Sequence, residues 1–168
     1  LKDLRWVLDI NSSPAQLQVL INDKKACITP CVHSASLRKA FRVDVVWPNG
    51  ALAKRGAPWS KTLRMKPSQR LKLKAEIPHG VLKVTAEPKI GEFTLEPLGG
   101  IDAEAIALPP GDYIIKVTNF GKKKFPSWQE KQVKMGTDGS TVTVDPPTFG
   151  AAPGLLSLDS SPTGAAVL

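Results

Sequence analysis

Histidine, tyrosine, cysteine and long apolar runs are scarce in this sequence, and each scarcity excludes something. Two histidines, His33 and His79, and one tyrosine in 168 residues leave little material for general acid–base chemistry. There is no Gly-x-Ser-x-Gly elbow, no phosphate-binding glycine loop and no His-Glu-x-x-His pair. Acidic pairs such as Glu92 with Glu96, or Asp102 with Glu104, fall on expected strand faces or loops. Glycoside hydrolysis instead needs two carboxylates facing across a cleft. The chain is therefore not expected to be an enzyme, and no cofactor or metal is expected. No stretch reaches the ~18 apolar residues of a membrane-spanning helix. No basic start followed by an apolar run and a small-residue cleavage site is visible. The chain opens at Leu1 and stops at Leu168 inside an apolar alternation, and we read it as a piece of a longer polypeptide. Amphipathic helical periodicity is also missing; residues 34–40 suit one helical turn at most.

Turn formers are abundant, with 15 prolines and 13 glycines. Charged residues at 23% and hydrophobic residues at 42% describe a folded chain with many turns. Apolar residues alternate with polar ones over residues 6–10, 17–21, 41–45, 71–75, 82–86, 103–108, 113–117, 132–135 and 141–144. Many short strands separated by turn signals predict an all-β chain of small antiparallel sandwiches. The expected core is Val7, Ile10, Leu17, Val19, Phe41, Val43, Val45, Leu63, Leu71 and Leu73. In a second unit it is Leu82, Val84, Phe93, Leu95, Ile106, Leu108, Tyr113, Ile115, Val117, Val133, Val142 and Val144.

Residues 8–20 read LDINSSPAQLQVL and residues 156–168 read LSLDSSPTGAAVL. Halfway between them, residues 82–94 read LKVTAEPKIGEFT, and Pro14, Pro88 and Pro162 are each 74 residues apart. This predicts tandem repeats over 1–79 and 80–147, with 148–168 as a linker and the first strands of a third, truncated repeat. Later positions correspond loosely: Phe41-x-Val43-x-Val45 with Tyr113-x-Ile115-x-Val117, and Pro58-Trp59 with Pro126-Ser127-Trp128.

The motifs Ser12-Ser13-Pro14, Thr29-Pro30, Leu108-Pro109-Pro110-Gly111-Asp112-Tyr113 and Ser161-Pro162-Thr163-Gly164-Ala165 resemble the PEGA domain family. The first repeat lacks the Gly-Ala after its proline and the Pro-x-Gly-x-Tyr turn; the second lacks Thr-Pro. The resemblance implies small, often tandem β-sandwich modules of bacterial surface and periplasmic proteins. It also implies an extracytoplasmic place and a role as stalk, spacer or docking scaffold among other proteins of the envelope. Such modules occur too as external parts of membrane-spanning bacterial kinases.

Cys27 and Cys31 bracket a short turn, and in an oxidising compartment they either form a disulfide or stay as unlinked, partly buried thiols. A zinc site with His33 would need a fourth ligand, and His79 is far along the chain. Charge is uneven. Residues 1–79 hold 15 basic and 5 acidic residues, a net +10, whereas 80–147 hold 8 and 9. Lys54, Arg55, Lys61, Arg64, Lys66, Arg70, Lys72 and Lys74 crowd into one stretch, with Arg38, Lys39 and Arg42 nearby. They read either as a surface for an anionic glycan or polymer, or as a solvated face guarding a sheet edge. Nucleic acid fits the compartment poorly. Trp47, Trp59 and Trp128 lie in Pro/Gly-rich segments and read either as ligand contacts or as lids over the ends of the sandwiches.

Overall fold

The computed structural model describes residues 4–36, 39–84, 92–100, 105–118 and 124–151. Pro88 and residues 156–168 lie outside the described residues. Seven strands build the first unit: β1 (Trp6–Ser13), β2 (Gln18–Ile21), β3 (Lys24–Ile28), β4 (Cys31–Ala35), β5 (Phe41–Val46), β6 (Trp59–Leu63) and β7 (Arg70–Glu76). A single helical turn, α1 (Gly50–Ala53), interrupts the β5–β6 connection. The second unit comprises β8 (His79–Val84), β9 (Glu92–Glu96), β10 (Gly99–Gly100), β11 (Ala105–Leu108), β12 (Gly111–Thr118), β14 (Glu130–Met135) and β15 (Asp138–Val144). A small ribbon pairs β13 (Lys124–Pro126) with β16 (Phe149–Ala151). The chain is all-β, as the alternation predicts.

The two units share one plan. In the first, a sheet of order β4-β1-β7 accompanies a sheet of order β3-β2-β5-β6; in the second, β11-β8-β15 accompanies β10-β9-β12-β14. Leu8 pairs with His33 and Leu71, and Leu82 with Ile106 and Val142. Val19 pairs with Val45, and Phe93 with Val117. One detail departs from the wholly antiparallel expectation. β7 joins β1, and β15 joins β8, in parallel. Each of these strands follows a crossing from the opposite sheet, which frees it from hairpin geometry.

Inward side chains follow the period of two. Trp6, Leu8 and Ile10 of β1 meet Val19, Phe41, Val43 and Val45 of the facing sheet in one buried core. Trp6 lies flat on Phe41, ring centroids 4.7 Å apart. Val7, expected inside, is on the other face because Trp6 sets the phase. Leu63, Leu71, Ile106 and Val142 are only half-buried because their strands end their sheets. Phe93 lies beyond the reach of the two-residue β10. The helical turn expected over 34–40 is corrected as well: Ser34 and Ala35 belong to β4. The turn is at α1 instead, where the Asn49 side chain accepts from the Ala51 N–H at 2.9 Å. Asn22 and Asp23, with φ of 48° and 65°, make the two-residue loop between the paired Ile21 and Lys24.

The Ser12 and Thr29 motifs meet in space. The buried Thr29 hydroxyl accepts from the Leu17 N–H at 3.0 Å and contacts Ser12 Oγ at 2.5 Å. Its backbone N–H donates to Leu17 O, and its carbonyl accepts from Gln16 N, both at 2.9 Å. One residue thus ties the end of β1, the β1–β2 loop and the β3–β4 turn. Thr29→Val leaves the Leu17 amide unpaired in the interior and should cost about 1–3 kcal/mol in urea unfolding. Thr29→Ser should restore most of it; equal losses in both variants would show that packing, not hydrogen bonding, is the cause.

Candidate functional site

Three places bring together the residues singled out from sequence. The first is the junction between the units. Trp47 follows β5; of its two readings, ligand contact or lid, burial favours the lid, since it is 4% exposed and part of the core. Gly56 closes over its ring edge. A Cβ on Gly56 would lie 2.3 Å from Trp47 Nε1 and 3.3 Å from Pro109 Cβ, so only glycine fits between them. Arg55 reaches across to the second unit. Its Cζ stands 4.7 Å from the Tyr113 ring centroid, and Nη1 donates to the Asp112 carbonyl at 2.5 Å. The Tyr113 hydroxyl donates to Pro109 O at 2.8 Å and pins the turn, in which Gly111 takes φ of +138°. Burial pushes the Tyr113 phenol above its ordinary pKa, and the Arg55 charge opposes that rise.

The second place is the basic stretch, and it divides. Arg55 belongs to the junction. Lys54 follows α1 and is exposed. Lys61 pairs with the inward-facing Val43 on edge strand β6, so it projects from the rim of the other sheet. Arg64 and Lys66 lie exposed on the connection to β7. Arg70, Lys72 and Lys74 form a row on the outer face of β7, beside Val7, Asp9 and Asn11 of β1. Arg70 stands 3.6 Å from Asp9, and Lys74 2.6 Å from Glu76. The eight cations therefore do not make one surface, because consecutive strands β6 and β7 belong to opposite sheets.

Arg42 is on the outer face of the opposite sheet and is neutralised there. Its Nε donates to Asp44 at 2.7 Å, and its Nη2 pairs with Asp23. These carboxylates, Asp44 foremost, hold its pKa above the ordinary value. Asp44 is buried and also accepts from Ser60 Oγ at 2.5 Å. Asp23, Arg42, Asp44, Ser60, Leu20 and Pro58 outline a shallow open depression. Its two carboxylates outnumber its one cation, so it offers no excess positive charge to an anion.

The third place is the disulfide. Cys27 and Cys31 are joined, with Cα atoms 6.2 Å apart. Because β3 and β4 belong to different sheets, the bond staples the sandwich along one edge. The bonded sulfurs are not thiolate ligands, and the His33 ring lies tilted against Trp6, centroids 6.0 Å apart. Among the described residues no group of three or more His, Cys, Asp and Glu side chains is placed to hold a metal ion. Trp59 is half-buried at the start of β6, opposite Val45. Trp128 is half-buried too, 6.5 Å from Phe93, with Lys131 Nζ 5.8 Å from its ring. No helix among the described residues is long and apolar enough to cross a membrane.

No family model matches the chain, and no curated protein matches it. Likenesses among solved structures include the following two. The Bacillus anthracis TIE protein shares 14% identity at a TM-score of 0.32, over 84% of this chain and 33% of its own. This chain thus spans about a third of that protein's length. The minor pilin GBS52 of Streptococcus agalactiae shares 10% identity at a TM-score of 0.29, over 92% of this chain and 99% of its own.

Tyr113 is the chain's one tyrosine, so tyrosinate absorbance reads the junction alone. It should titrate above the ordinary value of about 10. Replacing Arg55 with Met removes the opposing charge and should move the titration higher still. The folded pKa is raised, so the stabilisation is present below about pH 10 and is lost as pH rises through the folded value. An unchanged titration in Arg55→Met would mean that Arg55 does not sit on Tyr113. Separately, Cys27→Ala with Cys31→Ala should cost about 2 kcal/mol or less in thermal unfolding, because the closed loop is short. A larger loss would mean that the staple, not the Thr29 cluster, holds this end.

Proposed function

We propose that this chain is a non-catalytic spacer and docking segment of an extracytoplasmic bacterial protein, built from PEGA-like tandem modules. The observation that carries the reading is the junction. Two units that are alike in strand order meet through a buried Trp47–Gly56–Pro109 contact and an Arg55 guanidinium on Tyr113. A flexible string of modules would need none of these contacts, since relative motion is the default between small domains. A spacer that holds other parts of an envelope assembly at a set distance does need them. The Cys27–Cys31 bond supports an oxidising compartment, where such bonds persist. The partners expected are other proteins of the same assembly.

Small-angle scattering tests the reading. The native chain should give one narrow distribution of interatomic distances. Arg55→Ala combined with Gly56→Val should broaden it while each unit keeps its circular dichroism. A native distribution already as broad as the variant's would overturn the spacer reading.

A further inference from the structure

Strand β7 ends its sheet, and the residues that carry its cations are the ones whose backbone groups face the open edge. The Val7 N–H donates to Gln69 O at 2.8 Å and the Ile77 N–H to Ser13 O at 2.9 Å. In a parallel ladder these two bonds fix the alternation between them. The backbone groups of Leu71, Leu73 and Ala75 therefore turn toward β1, and those of Arg70, Lys72 and Lys74 turn away from it. Among the described residues no strand lies on that far side. The side chains of the same three residues are exposed on the outer face, about 6.6 Å apart along the strand.

The second unit supplies an internal control. Register places Thr141 where the first unit has Arg70, and Thr143 where it has Lys72. Strand β15 also ends its sheet, yet it carries no lysine or arginine. The β15 ladder is irregular between Asp138 and Thr141, which guards that edge without cations, whereas β7 keeps a regular register from Arg70 to Glu76 and so an edge that can be paired.

We propose that β7 accepts an extended acidic segment of a partner protein, added antiparallel to its open edge. Hydrogen-bonded pairing to Arg70, Lys72 and Lys74 puts partner residues directly opposite them, with Cα atoms about 5.5 Å away. Every second partner residue then faces a cation and is Asp or Glu. Glu76, at the end of the row, calls for a preceding Lys or Arg. The segment reads, from its N-terminus, basic-x-acidic-x-acidic-x-acidic. This docking is independent of the spacer reading, since peptide binding and scattering report different properties.

The probe is the peptide Lys-Thr-Glu-Thr-Glu-Thr-Glu-Thr, titrated onto the native chain and followed by backbone amide shifts. A control of equal composition, Lys-Thr-Thr-Glu-Glu-Glu-Thr-Thr, should bind about tenfold more weakly, since charge alone without register gives little specificity. Methylation of the glutamate amide nitrogens should abolish binding. Arg70→Thr with Lys72→Thr, copying the second unit, should also abolish it while the circular dichroism stays native. Equal binding of both peptides, survival of binding in that variant, polyphosphate binding as tightly as the probe, or no binding of the probe would each overturn the proposal.

Discussion

The Tyr113 hydroxyl, bonded to the carbonyl four residues behind it, is the contact on which the arrangement of the two units depends. It folds Pro109 through Tyr113 into a fixed corner. That corner presents three things outward: the Pro109 ring, the Asp112 carbonyl and the face of the phenol. Gly56 approaches the first, Arg55 donates to the second and covers the third. Without the corner there would be nothing of constant shape for the β5–β6 loop to meet.

The two units solve the same packing problem with different residues. At the position of Tyr113 the first unit has Phe41, which lacks a hydroxyl and is covered by Trp6. The first unit closes its opposite end with Thr29 and the Cys27–Cys31 bond. Trp6 pairs with Ala35, whereas the corresponding pair in the second unit is Gly80 with Leu108. Large and small have changed sides, and Met135 lies against Gly80 in the second unit. Such exchanges keep core volume while strand order stays fixed. Surface charge is under no such constraint, which lets β7 be basic and β15 free of cations on one scaffold.

Phe41-x-Val43-x-Val45 and Tyr113-x-Ile115-x-Val117 were legible, strand and buried face alike, because one face is buried and the other wet; residues 6–10 were legible as a strand, but with Val7 in the core where Trp6 and Leu8 belong. The β3 segment Lys24–Ile28 and the β6 segment Trp59–Leu63 were not, because no side chain in either is fully buried. The β4 segment Cys31–Ala35 was hidden for the same reason and was assigned in part to a helical turn. The basic stretch was legible as composition but not as a surface. Sequence proximity could not reveal that β6 and β7 belong to different sheets. The junction was illegible altogether: Arg55 and Tyr113 are distant in sequence, and Gly56 has no meaning until Trp47 is seen beneath it. Trp47 itself stood open between contact and lid because its neighbours Pro48, Asn49 and Gly50 signal a loop.

Backbone residual dipolar couplings in a weakly aligned sample test the central claim most directly, that the two units form one rigid body. The account predicts that a single alignment tensor fits the strands of both units. Two tensors of different magnitude would show the units moving independently and would contradict it.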